Sequence, residues 1–447
     1  MHSELLTPLL SSPKMQSILA DDRRMAAMLA FESALARAEA LAGIVPRDAA
    51  ATIGAACGSF KPDIASLAAA TRLAGNPAIP FVKALTAHCP EPGKAWVHWG
   101  ATSQDVVDTA SALVLREGIG HIDGQIQRLG DGLATLAETH RSRVMPGRTL
   151  LQPALPITFG FKVAGWLDMV TRCRGAVLAA ADAALVLHFG GAVGTLAAIG
   201  EEAESVRAAL GRELGLPVPA VTSHTARDRF ARLGMELAIL TGALAKIAGD
   251  IALLMQAEIG EASEPAAPGR GGSSTMPQKR NPVATVVVRA AALRANGLAA
   301  GLLAAIPQEH ERGAGGWHAE WALLPDLFDI SAGALEHMAE TIAGLEVRPD
   351  RMRENLDTGS GTLMSESLMM ALAPEIGRAQ AHHLVQQIAE HAISQQRTLR
   401  DVAMDTEDVA EVIGIDGIEK ALDPASYLGI AEATVDAAIR GWRVRQG

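Results

Sequence analysis

Apolar residues recur at alternating four- and three-residue steps in the middle of the chain: Leu233, Leu237, Leu240, Leu244, Ile247, Ile251 and Leu254. That spacing puts them in one seam along an α-helix, as in a coiled coil. Leu253, Met255 and Ile259 add apolar surface elsewhere on the same helix, which predicts burial on more than one side. Val286-Val287-Val288, set among Ala-rich turns, marks a second segment of this kind. Along the whole chain the pattern predicts five long helices, at roughly 105–140, 156–187, 228–263, 282–306 and 317–344.

Breakers separate them. Met145-Pro146-Gly147 and Gln152-Pro153 bracket a short polar turn, and Gly190-Gly191 with Gly194 mark another break. The stretch 264–282, with Pro265, Pro268, Pro277 and Pro282, reads as a long loop, a length that in compact domains often carries function. Shorter helices interrupted by prolines fill the first hundred residues, and a shorter helical tail follows the last long helix. The expected division is an N-terminal helical domain at 1–104, a central long-helix domain at 105–345 and a C-terminal helical domain at 346–447. Helices this long and apolar fit either a large monomeric bundle or one extended by partner subunits.

Composition agrees with an all-α fold. Of 447 residues, 49% are apolar and only 3% aromatic, with a single tyrosine, Tyr427. Alanine and leucine favour helix, and strand-forming aromatics are scarce. A formal charge of −11 argues against nucleic acid and anionic membrane as partners, yet allows a small anionic substrate where cations cluster. Three scattered cysteines, Cys57, Cys89 and Cys173, fit a reducing compartment. With no signal peptide and no long uncharged apolar run, a soluble cytoplasmic protein is expected.

Three polar loops carry the candidate chemistry. His98-Trp99-Gly100-Ala101-Thr102-Ser103-Gln104-Asp105 leads into a helix, where hydroxyls and an acid cap the N-terminus and exposed N–H groups also suit a carboxylate. Gly147-Arg148-Thr149-Leu150-Leu151-Gln152-Pro153 is a polar turn. Gly272-Ser273-Ser274-Thr275-Met276-Pro277-Gln278-Lys279-Arg280-Asn281-Pro282 joins small hydroxyls to two cations and an amide, a composition suited to holding negative charge near the main chain. At the start of the first loop, His98 is either packed beside its tryptophans or turned to substrate. His224 and Arg227 either touch an anion or pair with Asp228 at a helix start, and Arg312 either completes an anion site or pairs with Glu309 or Glu311. His310 and His318 are too loosely spaced for a metal site, and His382-His383 read as surface.

Together the loops resemble the three signature regions of the fumarase/aspartase superfamily, which includes argininosuccinate and adenylosuccinate lyases. The Gly-Ser-Ser-x-Met-Pro-x-Lys-x-Asn-Pro loop is the most specific of the three. The resemblance extends to Ala74-Gly75-Asn76-Pro77-Ala78-Ile79-Pro80 and Gln308-Glu309-His310-Glu311-Arg312. It implies an all-α, three-domain fold whose five long helices per chain build a twenty-helix core in a homotetramer. Active sites in that family are shared between subunits, one signature region from each of three. No metal or organic cofactor is implied.

One departure narrows the chemistry. The lyases place a histidine after the threonine of the second region, where this chain has Leu150. An amine leaving group, with a conjugate acid near pKa ~10, needs a proton as it departs, whereas a carboxylate, at about 4, does not. The branch without that histidine is 3-carboxy-cis,cis-muconate cycloisomerase, whose members this chain also resembles in Thr275-Met276-Pro277 and Trp317-His318-Ala319-Glu320-Trp321. The resemblance therefore implies closure of a tricarboxylate to a lactone, 4-carboxymuconolactone. An adenylosuccinate lyase-like C–N lyase and a non-catalytic helical scaffold are the alternatives. Carried over by motif, Ser273 transfers the proton at carbon and Lys279 stabilises the charge, while His98, Thr102, Ser103, Thr149, Gln152, Ser274, Met276 and Asn281 bind substrate. Physics alone does not separate Ser273 from Ser274; alignment with the family picks Ser273.

Overall fold

The computed structural model describes residues 4–267, 269, 271–272, 275–276 and 279–444. Ser273 and Ser274 lie outside the described residues. The chain folds as helices with two small antiparallel β-pairs. The elements that matter for the site are α1 (Asp21–Leu41), α2 (Ser103–Thr139), β1 (Val144–Thr149), β2 (Gln152–Thr158), α3 (Phe159–Ala184), α4 (Asp228–Leu254), β3 (Ala262–Ser263), α5 (Val283–Ala304), α6 (Gly316–Ala343), β4 (Glu346–Val347) and α7 (Ala431–Val444). Helices α2 to α6 are the five long helices expected. The expected domain boundaries fall at the start of α2 and just before β4.

Two compact units are present. The first comprises residues 1–126, 173–244 and 287–336, the second 127–172, 245–286 and 337–447, so each long helix begins in one unit and ends in the other. In the first unit α4 meets α5 and α6 at Gly234, beside Leu302 and Leu327, and α2 meets α6 where Gly118 lies against Phe328. The entire α4 seam is buried, from Leu233 at 0% exposed to Leu254 at 3%. In the second unit Trp166 of α3 donates its indole N–H to Asp250 of α4 at 2.8 Å. There the Trp442 ring of α7 packs against Gly130 of α2, where any Cβ would occupy the ring's space. A separate cluster from Met364 to Ala421 forms the core of the C-terminal helices.

One expectation needs correction. The helix expected at 228–263 ends at Leu254: the chain turns through Gly260 at φ 64° and enters β3, which pairs with β4. Apolar periodicity continued past the helix because the turn itself is half-buried. Charges such as Lys246 in α4 and Arg289 in α5 interrupt these helices, as expected, yet by length and composition each is apolar enough to cross a membrane. In α4, 56% of that apolar window is buried within the chain, and in α5 39%. The remainder includes Ile239, Leu253, Val286, Leu293 and Leu303, all exposed.

Candidate active site

The first polar loop runs from a short 3-10 turn, Gly93–Trp96, into α2. His98 and Gly100 take left-handed backbone conformations, at φ 60° and 66°. A side chain at Gly100 would strike Ile199, so glycine is the residue that fits. Asp105, one turn into α2, reaches back to accept the Thr102 N–H at 3.0 Å, half of a capping box. The same buried carboxylate accepts the N–H groups of Gly190 at 3.0 Å and Gly191 at 2.9 Å, and His224 Nε2 at 2.7 Å. Four donors around one carboxylate offset the cost of burying it and fix the loop to the 190–191 turn. His98 is held separately: its Nδ1 lies 2.6 Å from Glu32 Oε1 on α1.

Beneath this loop lies a cluster of charge. Arg227 donates to Asp108 at 2.7 Å and to Glu320 at 2.6 Å, with all three side chains at most 7% exposed. Trp317 Nε1 adds a bond to Asp108 at 2.8 Å, and Gln104 Nε2 joins Asp108 to the His224 carbonyl. Burial alone raises the Asp108 carboxyl, but Arg227 and the hydrogen bonds from Arg227 and Trp317 reverse this and hold it below the ordinary range. Glu320 goes the other way: burial lifts it, the Arg227 bond only partly offsets that, and the charge of Asp108 adds to the rise. Two carboxyls share one guanidinium, and the environment favours the charged form of Asp108 more than that of Glu320. His188, stacked on Phe230 at 5.4 Å, is pushed down to about 4, first by burial, and stays neutral.

The second loop is a β-hairpin. Thr149 pairs with Gln152, leaving Leu150 and Leu151 as a two-residue connection with φ of 49° and 66°. Such turns favour Asn-Gly, because a left-handed backbone costs an ordinary side chain roughly 1–2 kcal/mol. Here two leucines adopt it, and Leu150 is 97% exposed. Arg148 forms a bidentate bond with Glu261 at 2.7 and 2.8 Å, and Asn355 donates to the same carboxylate at 2.8 Å. The third loop is anchored three residues further on. Glu264, 2% exposed, accepts the first N–H groups of α5, from Ala284 at 3.1 Å and Thr285 at 2.8 Å. Arg280 donates to the Glu264 carbonyl and pairs with Glu346, so its charge is already satisfied within the chain. Asn281 N–H closes the neck of the loop onto Gly271 O at 2.9 Å.

Comparison with known proteins decides the family. The family model described as Lyase matches residues 10–297, and that of the adenylosuccinate lyase C-terminus matches 361–438. The chain belongs to the lyase family of the fumarase/aspartase superfamily. It is 48% identical to the 3-carboxy-cis,cis-muconate cycloisomerase of Pseudomonas aeruginosa, over 95% of this chain and 93% of that one. It is 45% identical to the protein of the same name from Bradyrhizobium diazoefficiens, over 97% of each. The 3-carboxy-cis,cis-muconate lactonizing enzyme of Pseudomonas putida superposes with a TM-score of 0.94 at 42% identity, covering all of both chains.

The family's signature residues divide between the units. His98, Thr102 and Ser103 lie in the first unit; Thr149, Gln152, Met276, Lys279 and Asn281 lie in the second. Among the described residues, the hydroxyls of Thr102, Ser103 and Thr149 and the Gln152 amide make no hydrogen bond within the chain. His224 and Arg227 do not pair with Asp228 as one expectation had it. They bind Asp105, Asp108 and Glu320, because buried carboxylates on α2 and α6 face them. Arg312 donates to the Ala192 carbonyl at 2.9 Å instead of a neighbouring glutamate. The turn at 147–153 is a strand pair rather than a simple loop. Sequence reasoning missed Glu32, Glu261 and Glu264; acids at otherwise apolar positions, as Glu32 between Phe31 and Leu35, were the available signal.

Proposed function

We propose that this chain is a cycloisomerase that closes 3-carboxy-cis,cis-muconate to 4-carboxymuconolactone. The carrying observation is Leu150, which stands at the exposed hairpin tip where C–N lyases of the family place a histidine, in a chain up to 48% identical to cycloisomerases. One substrate carboxylate attacks a conjugated carbon and forms the ring C–O bond. The π electrons move to the neighbouring carbon and delocalise into its carboxylate. Ser273 protonates that carbon and recovers its proton from solvent, so one carboxylate charge is consumed and one proton taken up. Because the nucleophile arrives ionised, no imidazole is needed to prepare it.

Lys279 and Asn281 would hold the carboxylate that gains charge. Thr102, Ser103, Thr149 and Gln152, whose side-chain polar groups are unused within the chain, would donate to the others, alongside His98, Ser274 and Met276, with each loop supplied by a different subunit of the assembly that the resemblance implies. We further infer a homotetramer, supported by the exposed apolar side chains of α4 and α5, and a reducing cytoplasm, supported by three buried thiols. Loss of muconate ultraviolet absorbance on adding purified protein tests the activity. The C-terminal match to adenylosuccinate lyase favours a second reading, C–N cleavage. Turnover of adenylosuccinate with inert carboxymuconate would establish that instead.

A further inference from the structure

Glu32 is a carboxylate in a place that normally rejects one. Its side chain is 0% exposed, on the buried face of α1 between Phe31 and Leu35. Among the described residues, Oε2 has no hydrogen-bond partner, and the bond from Oε1 to His98 Nδ1 at 2.6 Å is the side chain's single polar contact. Burying an acid costs stability unless a charged or strongly donating group meets it, and an apolar residue would fill the space more cheaply. The partner is held in place with some effort. His98 sits at φ 60°, an uncommon conformation for a residue other than glycine, between Trp96 and Trp99, whose rings pack at 4.8 Å. Gly100 permits the close approach of the loop to Ile199, with Glu39 of α1 next beyond it. His98 keeps 15% of its side chain exposed, and with Nδ1 against Glu32 that part is the opposite edge of the ring.

We propose that Glu32 is a positioning residue for His98, gripping the ring through Nδ1–H so that Nε2–H is offered to a carboxylate of the substrate. The pair then supplies an imidazolium to the binding site in a chain whose second signature region has none. This rests on the cycloisomerase reading and names the group that binds one of the carboxylates. The electrostatics agree. Burial by itself would lower His98, but the charge and hydrogen bond of Glu32, with Asp105 behind them, raise it above its ordinary value. The groups facing the ring are Glu32 from α1, Asp105 from α2 and, beyond Gly100, Glu39 of α1. Glu39 is pushed up to about 9, chiefly by burial, and carries no charge at neutral pH. Imidazolium therefore persists to higher pH with Glu32 in place, and its loss as pH rises weakens carboxylate binding.

The test compares wild type, Glu32→Gln, His98→Gln and the double variant. One charge-assisted hydrogen bond lost should raise KM for carboxymuconate on the order of tenfold, with a smaller fall in kcat. In Glu32→Gln the alkaline limb of 1/KM should move to lower pH, and in His98→Gln it should vanish. The double variant should bind no more weakly than His98→Gln, because Glu32 acts through the ring. Two further measurements need no turnover: NMR titration of the His98 ring, and binding of tricarballylate as a stable tricarboxylate probe. If wild type leaves carboxymuconate untouched, the cycloisomerase reading fails while these still judge the pair. The proposal is overturned if folded Glu32→Gln leaves KM, tricarballylate affinity and the His98 titration unchanged, or if the two losses multiply. Should Glu32→Gln not fold, His98→Gln decides: an intact alkaline limb and intact tricarballylate affinity overturn it.

Discussion

The two units hold their signature loops by opposite means. In the first, the loop at 98–105 rests on side-chain charge: Asp105 gathers four donors, and beneath it Arg227 joins Asp108 to Glu320. In the second, the hairpin and the long loop rest on a four-residue segment, Glu261 to Glu264, that gives one carboxylate to Arg148 and another to the backbone of α5. The first is a net of buried ions in which one missing member strands the others. The second is a pair of separate clasps, each able to fail alone. Breaking a buried ion network at its centre strands several groups at once, whereas breaking a helix cap, or a single buried pair such as Arg148 with Glu261, strands only one, and Glu261 still keeps its bond from Asn355.

Arg227→Leu attacks the first arrangement at its centre and should show the largest effect. Asp108 and Glu320 would be left buried without their cation, a loss of about 3–5 kcal/mol that urea denaturation would register. Arg148→Leu breaks one clasp of the second unit and should cost about 2 kcal/mol by the same measurement. If the two losses are equal, the contrast between the units is wrong.

The contrast sharpens with pH at Glu39. Its carboxyl is pushed up to about 9, so the folded chain keeps a proton that the unfolded chain releases near 4.5. The unfolded state binds fewer protons between those values, so stability present below pH ~4.5 declines as pH rises toward about 9. Glu39→Gln removes that slope. Relative to wild type it should gain at least about 1.4 kcal/mol on moving from pH 5 to pH 8, the equivalent of one pKa unit. A parallel pair of stability curves would sink it. The smallest effect belongs to the hairpin tip. Leu150→Asn with Leu151→Gly supplies the residues a left-handed pair of φ angles prefers, and should raise stability by about 1 kcal/mol in thermal unfolding.

Much of this was readable from the chain. The α4 seam from Leu233 to Leu254 follows from heptad spacing, and the ends of the other four long helices fall within a few residues of where polar loops interrupt that spacing. The three loops were visible because small polar residues beside glycine and proline have no place in a core. What stayed hidden depends on neighbours distant in sequence. Nothing local to Arg227 says that its partners are Asp108 and Glu320, over ninety residues away in either direction. Nor does Gly147 to Pro153 announce a strand pair, because its turn contains two leucines instead of Asn-Gly. The helix end at Leu254 was overrun because Met255 and Ile259 continue the apolar rhythm into a turn.

The segment from Glu261 to Glu264 has a consequence for how such a catalyst can change. One tetrapeptide sets the height of both the hairpin and the long loop, so an insertion or shift there displaces two walls of the second unit at once. Drift in substrate preference is therefore channelled away from the anchors and toward what they carry. Leu150 and Leu151, solvent-facing and held by no side-chain bond of their own, are where new specificities can be tried without dismantling the frame.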